Sequence, residues 1–422
     1  MRALYLTYDG LLDPLGQSQI LPYIYGLTER LGVKFFIVSF EKRERFSGVG
    51  ELKETLSARG IHWYPLPFSR RPPILAKAWD SYRFFTTAKK VLLRHKVNLL
   101  HARSYVAGWV AHRLSKQYGI PWIFDMRGFW ADERRETEAW PPQHPFYNWL
   151  YHLWKEREKA MLQSAAYIVV LTEAAKHVLL EWGISPEKVS VIPCVADYEL
   201  FTPQPPQIRS SYREQLEIPS EAFVLGYVGS LGPLYELKEM LAFFKVLLLY
   251  QPESYMVFFT PTESELIRSA AQKLCVPLER LRIKSLKRFE VPLWSSILDA
   301  SIIFCRPGFS RIGSSPTRVA EMLAMDIPVI MQADLGDTEK LAGIIEGIYL
   351  CKSLSEEAYH AIPPQLVSQK KGESNLSPRF TSQRLLSLPV GMSQYEKVYR
   401  LLSQVAISQA NKSNDKGYQQ SH

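Results

Sequence analysis

Apolar and polar positions along this chain form two series of short hydrophobic runs separated by longer amphipathic stretches. The short runs predict strands, and apolar residues that recur every three or four positions predict the helices between them. Strands that alternate with helices in this manner form parallel sheets with crossover helices. In the first series, strands are predicted at 3–7, 33–39, 61–66, 98–101, 122–124, 167–171 and 189–192.

The helices of the first series are marked by glycines as well as by their periodicity. Gly32, Gly119 and Gly183 lie where C-terminal caps are expected, because glycine adopts the left-handed conformation of a cap without strain. The clearest predicted helices are 17–30, 74–95, 108–118, 147–165 and 172–181.

A second series of elements begins after an irregular, proline-rich segment near residues 195–220. Its pattern predicts another doubly wound parallel sheet, so the fold class is α/β with two Rossmann-like domains. Its predicted elements are 223–228, 234–250, 255–259, 263–274, 283–285, 302–305, 317–324, 328–331 and 337–344.

The length of 422 residues exceeds what one hydrophobic core supports, so two domains of about 200 residues each are expected. A polar stretch from 353 to 391 is followed by a last amphipathic helix at 394–405, and the tail has the composition of a disordered segment. The predicted division is a first domain at 1–200, a second at 201–390, a C-terminal helix at 391–408 and a disordered tail at 409–422.

The composition indicates a globular protein without a membrane span. Hydrophobic residues make up 46% of the chain, and no apolar run approaches the roughly 20 residues needed to cross a bilayer. The amino terminus predicts a first strand rather than a secretory signal, so a cytoplasmic location is expected. The four cysteines show no Cys-x-x-Cys spacing, which argues against a metal site or a disulfide framework.

The positive charge is concentrated in the first half of the chain. Residues 42–103 contain 14 basic and 4 acidic side chains, interleaved with aromatic residues. Such a segment is either a solvated helix face with aromatic residues in the core, or a surface that binds an anionic membrane. No nucleic-acid partner is expected, because no helix-turn-helix, zinc or RNA-binding signature accompanies the charge.

In parallel sheets, ligands bind beyond the carboxyl ends of the strands, so the loops after the strands carry the candidate chemistry. In the first domain, the loop 9–19 is interpreted as an anion or acceptor clamp, with a polar turn as the alternative. Arg127 is a candidate for stabilising negative charge on a reacting group, and His101 is a further catalytic candidate. The candidate residues of the clamp are Asp13, Gly16 and Gln17.

In the second domain, the segment 309–324 places a loop of small residues directly before a helix. Free amides and the helix dipole suit a phosphate there, and Glu321, one turn into the helix, suits a vicinal diol. Phosphates together with a diol indicate a nucleotide sugar. The further candidates for donor binding are Gly229, Ser230, Gly232, Arg306, Arg311, Ser315, Thr317 and Arg318. No Asp-x-Asp pair is present, so neither a metal ion nor another cofactor is expected.

These segments resemble the family 4 glycosyltransferases of the GT-B fold. The resemblance is carried by residues 13–19, 229–232, 314–318 with Glu321, and 327–330. It implies two Rossmann-like domains that face each other across a cleft, with the nucleotide sugar on the second, the acceptor on the first, and a C-terminal helix that crosses back. It also implies that Glu321 is the ribose-binding carboxylate of a Glu-x7-Glu motif.

The sequence departs from the family pattern at three places. Gly313 stands where the first carboxylate of the motif is expected, and Ser230 and Tyr235 stand at the positions of a basic pair. Arg127 occupies the place of a catalytic histidine. The retaining outcome of the reaction is therefore inherited from the resemblance alone.

The sequence thus predicts a metal-independent, retaining glycosyltransferase of the hexosyltransferase type. Its expected substrates are a nucleoside diphosphate sugar and a glycan or lipid-linked acceptor in cell-surface polysaccharide or glycoconjugate biosynthesis. We expect it at the inner face of the membrane as a peripheral protein, and the pattern predicts no oligomeric state. The alternatives are a nucleotide-sugar epimerase on the same fold and a binding partner that has lost the chemistry.

Overall fold

The computed structural model describes residues 1–69, 73–370 and 377–418, without side chains for 73–75, 367–370 and 405–418. The chain divides into two compact units. The first domain comprises Met1–Pro193 together with the chain from Gly391, and the second domain comprises Cys194–Val390. The two junctions follow Pro193 and Val390, and the boundaries predicted from the sequence follow residues 200 and 390.

The first domain is built on a seven-stranded parallel sheet in the order β3-β2-β1-β4-β5-β6-β7. Its strands are β1 (Arg2–Thr7), β2 (Lys34–Glu41), β3 (His62–Pro67), β4 (Leu99–Arg103), β5 (Trp122–Asp125), β6 (Tyr167–Val170) and β7 (Val189–Val191). Its helices are α1 (Pro14–Gln19), α2 (Leu21–Leu31), α3 (Val49–Ala58), α4 (Pro73–His95), α5 (Ser104–Tyr118), α6 (Trp130–Glu136), α7 (Pro145–Ser164) and α8 (Glu173–Glu181).

The second domain is built on a six-stranded parallel sheet in the order β10-β9-β8-β11-β12-β13. Its strands are β8 (Val224–Val228), β9 (Tyr255–Phe259), β10 (Leu281–Lys284), β11 (Ala300–Ile303), β12 (Val329–Gln332) and β13 (Ile348–Cys351). Its helices are α9 (Pro206–Gln215), α10 (Leu237–Tyr250), α11 (Ser264–Lys273), α12 (Val291–Ser295), α13 (Thr317–Ala324), α14 (Thr338–Ala342), α15 (Glu356–Tyr359), α16 (Pro363–Lys370) and α17 (Pro378–Leu386).

The strands of the second domain are apolar throughout because both faces of the sheet are covered. Successive side chains of β9 point to opposite faces, so Val257 and Phe259 enter one core and Met256 and Phe258 the other. α13 and α17 pack together on the first face, and α10 with α11 on the second. The predicted pair of Rossmann-like sheets is thereby confirmed.

The last helix, α18 (Leu388–Tyr418), begins at the second domain and continues into the first. Its Met392 packs against Gly26 of α2, where an added Cβ would lie 2.2 Å from the methionine methyl carbon. Its Tyr395 and Tyr399 are buried beside the sheet of the first domain. The predicted return of the C-terminal helix is therefore observed.

The structure differs from the sequence prediction in several elements. The predicted helix 17–30 is two helices, α1 and α2, because the backbone leaves helical geometry at Ile20. β13 was not predicted, and the polar stretch after it contains three helices. The tail predicted to be disordered from Gln409 is helical up to Tyr418, since no proline interrupts it, and 419–422 lie outside the described residues.

Among the helices that the structure describes, none is long and apolar enough to cross a bilayer.

Candidate functional site

The strand order of the second sheet reverses between β8 and β11, and such a switch point is where open α/β sheets bind ligands. Two loops leave the carboxyl ends of these strands, the Gly229 loop (229–236) and the segment 304–316. The Glu236 amide donates to the Phe304 carbonyl at 3.0 Å, and the Arg306 amide donates to the Leu234 carbonyl at 2.8 Å. The backbone thus ties both loops into one platform.

Arg318, in the first turn of α13, reaches the platform. Its guanidinium lies 4.4 Å from the ring centre of Tyr235 and 4.9 Å from that of Tyr227, and its Nη2 donates to the Tyr235 hydroxyl at 3.1 Å. We call these two tyrosines the tyrosine clamp. Cation–π contacts and the hydrogen bond fix the guanidinium beside the amino end of α13, where the helix dipole already favours an anion.

Gly229 makes the close approach of Arg318 possible. Its φ of +120° lies in the region that favours glycine, and an added Cβ would lie 2.7 Å from Arg318 Nη2. A side chain at this position would therefore strain the backbone and displace the guanidinium.

Replacing Gly229 with alanine is expected to weaken binding of a nucleoside diphosphate about tenfold or more and to destabilise the fold by about 1–3 kcal/mol. The measurements are calorimetric titration with the nucleotide and denaturant unfolding. Gly232→Ala in the same loop is the matched control, because an added Cβ there meets nothing within 4 Å. Equal effects of the two substitutions would contradict the role assigned to the Gly229–Arg318 approach.

Glu321 lies on the same helix as Arg318 and is almost wholly buried, with 4% of its surface exposed. Its Oε1 accepts a hydrogen bond from Arg288 Nη1 at 2.6 Å. The Arg288 guanidinium also lies 5.0 Å from the ring centre of buried Phe201. A buried carboxylate that is paired on one oxygen retains acceptor capacity on the other.

Arg288 was missed by the sequence reasoning. It follows β10, so the rule that ligands bind after the carboxyl ends of strands is the signal that indicates it.

The other predicted donor residues have contacts of their own. Ser315 Oγ accepts from the Cys194 amide at 3.2 Å, which ties the loop before α13 to the start of the second domain. The Arg306 side chain pairs with Glu236 at 3.4 Å. The Ser230 carbonyl accepts a hydrogen bond from the Tyr227 hydroxyl at 2.9 Å. Thr317 is the first residue of α13.

Arg311 is only 1% exposed, and its Nη2 donates to Ser310 Oγ at 2.7 Å. The sequence predicts it as a cation that faces a diphosphate, whereas the structure buries it within the short 3-10 helix Phe309–Gly313. Gly336 also donates its amide to the Arg311 carbonyl at 2.9 Å. Arg318 is the arginine that lies against Gly229, and a contact of Arg311 with the diphosphate stays a prediction.

The predicted clamp of the first domain lies in and before α1 and is held by a carboxylate that the sequence reasoning missed. Buried Glu41, at the end of β2, accepts from the amides of Leu11 and Leu12 at 2.8 and 3.2 Å. Burial raises the pKa of Glu41, and these hydrogen bonds oppose the shift. Two amides of the loop predicted to clamp an anion or acceptor therefore bind the protein's own carboxylate.

The three residues predicted for the clamp support the loop itself. Asp13 pairs with Lys42 and Arg45, both at 3.1 Å, and Gln17 Nε2 donates to the Leu11 carbonyl at 2.7 Å. Gly16 packs so closely that an added Cβ would lie 2.2 Å from the Gly10 carbonyl oxygen. Direct contact with an acceptor stays a prediction for all three.

Arg127 and His101 meet at buried Asp125, at the carboxyl end of β5. Asp125 lies 3.5 Å from Arg127 Nη1, 3.4 Å from Arg103 Nη1 and 3.9 Å from His101 Nε2, and it accepts from the Tyr395 hydroxyl at 3.2 Å. We call this set the Asp125 cluster. Burial by itself raises the pKa of Asp125, but Arg127, His101 and Arg103 together hold it well below its usual range.

His101 has little exposed surface and is held on both sides. Its Nδ1 lies 2.8 Å from the Tyr399 hydroxyl, and its ring centre lies 4.6 Å from that of Tyr5. Burial lowers the pKa of His101, although Asp125 opposes the shift. The geometry of His101 fits a structural link between β4 and α18 better than a catalytic base.

Arg127, at φ +57°, has a strained backbone that directs its side chain to the Asp125 cluster.

Replacing Asp125 with asparagine is expected to destabilise the protein by about 3–5 kcal/mol at neutral pH, because buried Arg103 and partly buried Arg127 lose their counter-charge. The folded-state pKa of Asp125 is depressed, so its contribution is complete above an unfolded-state pKa of about 3.9 and is lost as the pH falls below it. Denaturant unfolding between pH 7 and pH 3 should therefore show the difference from wild type shrink towards the acid end. If the difference in free energy of unfolding between the variant and wild type did not change with pH, the depressed pKa assigned to Asp125 would be wrong.

Among the residues with described side chains, no three His, Cys, Asp or Glu groups come close enough together to hold a metal ion.

Two domains, each built on a parallel sheet of the Rossmann-like type, have the architecture of the GT-B fold. A model of glycosyltransferase family 4 matches residues 27–200 of this chain. Two curated relatives, the D-inositol 3-phosphate glycosyltransferases of Stackebrandtia nassauensis and Kineococcus radiotolerans, are 24% and 25% identical over 137 and 138 residues. These matches cover 32% of this chain but only 29% and 30% of the relatives, so less than a third of their length is spanned.

Solved structures match almost the whole chain. HepE of Anabaena, in complex with UDP and glucose, superposes with a TM-score of 0.68 at 15% identity over 95% of this chain and 99% of its own. Sucrose-phosphate synthase of Thermosynechococcus elongatus gives 0.70 at 15% identity over 96% and 99%. These structures confirm the GT-B fold, and the match to the family model confirms the resemblance to family 4 glycosyltransferases.

Proposed function

We propose that this protein is a glycosyltransferase that transfers a sugar from a nucleoside diphosphate sugar to a glycan or lipid-linked acceptor. The observation that carries the proposal is the platform at the switch point of the second sheet, where Arg318 lies against Gly229 beside the amino end of α13. The family match and the UDP complex of a structural neighbour support the same chemistry.

In the proposed donor site, the diphosphate lies against the Gly229 loop and the amino end of α13, with Arg318 as its cation. Fixed donors of this kind stabilise the charge that develops on the leaving diphosphate, without reorganisation during the reaction. Glu321, one turn further along α13, accepts the ribose hydroxyl groups with the carboxylate oxygen that Arg288 leaves available.

In the proposed acceptor domain, Arg127 of the Asp125 cluster stabilises negative charge near the reacting groups, and His101 positions the cluster rather than exchanging protons. Retention of configuration and independence of metal ions and other cofactors are part of the proposal. Arginine and the dipole of α13 would supply the charge that a metal ion supplies in other nucleotide-sugar enzymes.

The first experiment is a thermal-shift screen of nucleoside diphosphates and their sugars. A ligand present at 100 times its dissociation constant should add about 2.7 kcal/mol to the free energy of unfolding. Stabilisation by one nucleoside diphosphate, and none by the corresponding nucleoside, is the expected result. If no nucleoside diphosphate raises the melting temperature, the donor site is wrong.

The second experiment separates transfer from the two alternatives. Release of the nucleoside diphosphate only when an acceptor is added, with EDTA present, is expected for metal-independent transfer. Formation of an epimeric sugar nucleotide without acceptor would support an epimerase. Binding without turnover on any acceptor would support a partner that has lost the chemistry.

A further inference from the structure

The outer face of α4 carries large apolar side chains that the rest of the first domain leaves exposed. Trp79, Tyr82 and Leu93 are 54%, 60% and 51% exposed. Their positions, together with Thr86 and Lys90, follow the helical repeat of three and four residues, so they form one stripe along the helix. Trp79 and Tyr82 stack with ring centres 5.6 Å apart.

The exposed charged side chains of α4 beside this stripe are all basic. Lys77, Lys90 and Arg94 of α4 are exposed, and Lys89 is half-buried beside them. Asp80 is the one acidic residue in the sequence of α4, and it is fully buried, where it accepts from Arg83 Nη2 at 2.6 Å. The charge of the Asp80 carboxylate is therefore balanced by Arg83 inside the domain, and the outer face of α4 is positive.

The neighbouring helix extends the positive surface. α5 packs against α4 and contains no acidic residue, and its Arg113 and Lys116 are exposed. Arg113 also lies 4.1 Å from the ring centre of Phe85, so the two helices share this contact at their seam. The stripe and its flanking cations are called the α4 face below. Arg70 and Arg71, which belong to the same basic segment of the sequence, lie outside the described residues.

We propose that the α4 face docks on an anionic lipid surface. Tryptophan and tyrosine favour the boundary between headgroups and acyl chains, and leucine favours the hydrocarbon below it. The flanking lysines and arginines match negatively charged headgroups. A nucleic acid would explain the cations but not the exposed leucine within the stripe. The proposal does not depend on the proposed function, because it rests on a different surface.

The test is flotation of the full chain with phosphatidylcholine vesicles, with and without phosphatidylglycerol. Binding is expected only with the anionic lipid, and it should fall as salt is raised, since screening weakens the headgroup attraction. Each neutralised cation should lower the partition coefficient about fivefold, so Lys89→Gln, Lys90→Gln and Arg94→Gln combined should lower it about a hundredfold. The double variant Trp79→Ala and Tyr82→Ala should lower binding at every salt concentration.

The matched control lies in the second domain, where α10 carries exposed Lys238, Lys245 and Leu249. Lys238→Gln with Lys245→Gln, and Leu249→Ala, should leave vesicle binding unchanged. The substituted side chains are exposed, apart from half-buried Lys89, so circular dichroism and the melting temperature should stay close to those of the wild type.

Three outcomes would overturn the proposal. The first is recovery that does not depend on lipid charge, and the second is equal loss with the α10 control. The third is binding to a nucleic-acid duplex that is stronger than binding to vesicles and is abolished by the same α4 substitutions.

Discussion

Replacing Glu321 with alanine is expected to weaken binding of the nucleoside diphosphate by roughly two orders of magnitude. A buried carboxylate that accepts ribose hydroxyl groups contributes charge-assisted hydrogen bonds of about 1.5–3 kcal/mol each. The substitution also leaves Arg288 without its partner at 2.6 Å. Isothermal titration calorimetry with the nucleotide found by the thermal-shift screen measures the effect.

The loss has a ligand-dependent signature. A dideoxyribose analogue of the same nucleotide has no diol, so Glu321→Ala should change its affinity much less than that of the natural ligand. Arg288→Met keeps the carboxylate and removes only its partner, so it should preserve the preference for the diol. An equal loss for both ligands in Glu321→Ala would assign the residue to the stability of α13 rather than to the ribose.

The alternation of apolar runs and amphipathic stretches was sufficient to predict the architecture. Every strand of the first sheet was predicted within two residues, because both faces of a parallel strand are buried and its hydrophobic run is continuous. β13 was missed because it is short and followed by polar sequence. The break at Ile20 was missed since helical periodicity continues across it.

The candidate site was less predictable than the fold, because its contacts join residues far apart in sequence. Gly229 and Arg318 were both candidates, but nothing in the sequence indicates that one lies against the other. Tyr235 was noted as a departure from a basic position, and the structure shows that its ring and hydroxyl hold a guanidinium there instead. A cation thus reaches the Gly229 loop from α13.

Arg311 shows why burial could not be predicted from the sequence. It lies in the loop directly before α13, so the sequence predicted a cation that faces a ligand. A guanidinium that donates to a neighbouring serine inside the domain has the same sequence signature as one at a surface.

The Asp125 cluster was predictable only in part. Arg127 and His101 were candidates, but Tyr395 joins Asp125 from a helix 270 residues away. Only the tertiary fold brings that hydroxyl to the carboxylate.

Replacing Arg318 with alanine is expected to lower kcat about 10²- to 10³-fold, the range for loss of one fixed donor to developing charge. Arg318→Lys should recover little, because an ammonium group cannot fill the planar space between Gly229 and the two rings of the tyrosine clamp. Steady-state kinetics with donor and acceptor measure both variants.

Tyr235→Phe tests how the clamp acts. The ring remains and the 3.1 Å hydrogen bond to Arg318 is lost, so kcat should fall by about tenfold while the fold stays intact.

Arg280→Ala is the matched control for Arg318→Ala. Arg280 also lies over a tyrosine, at 5.2 Å from the Tyr255 ring centre, and it pairs with a carboxylate. It precedes β10 and so lies at the amino end of the strands, opposite the platform. If Arg280→Ala and Arg318→Ala lowered kcat equally, the loss would reflect the stability of the domain. A loss of kcat confined to the Arg318 and Tyr235 variants would instead place the charge that stabilises the leaving diphosphate at the tyrosine clamp.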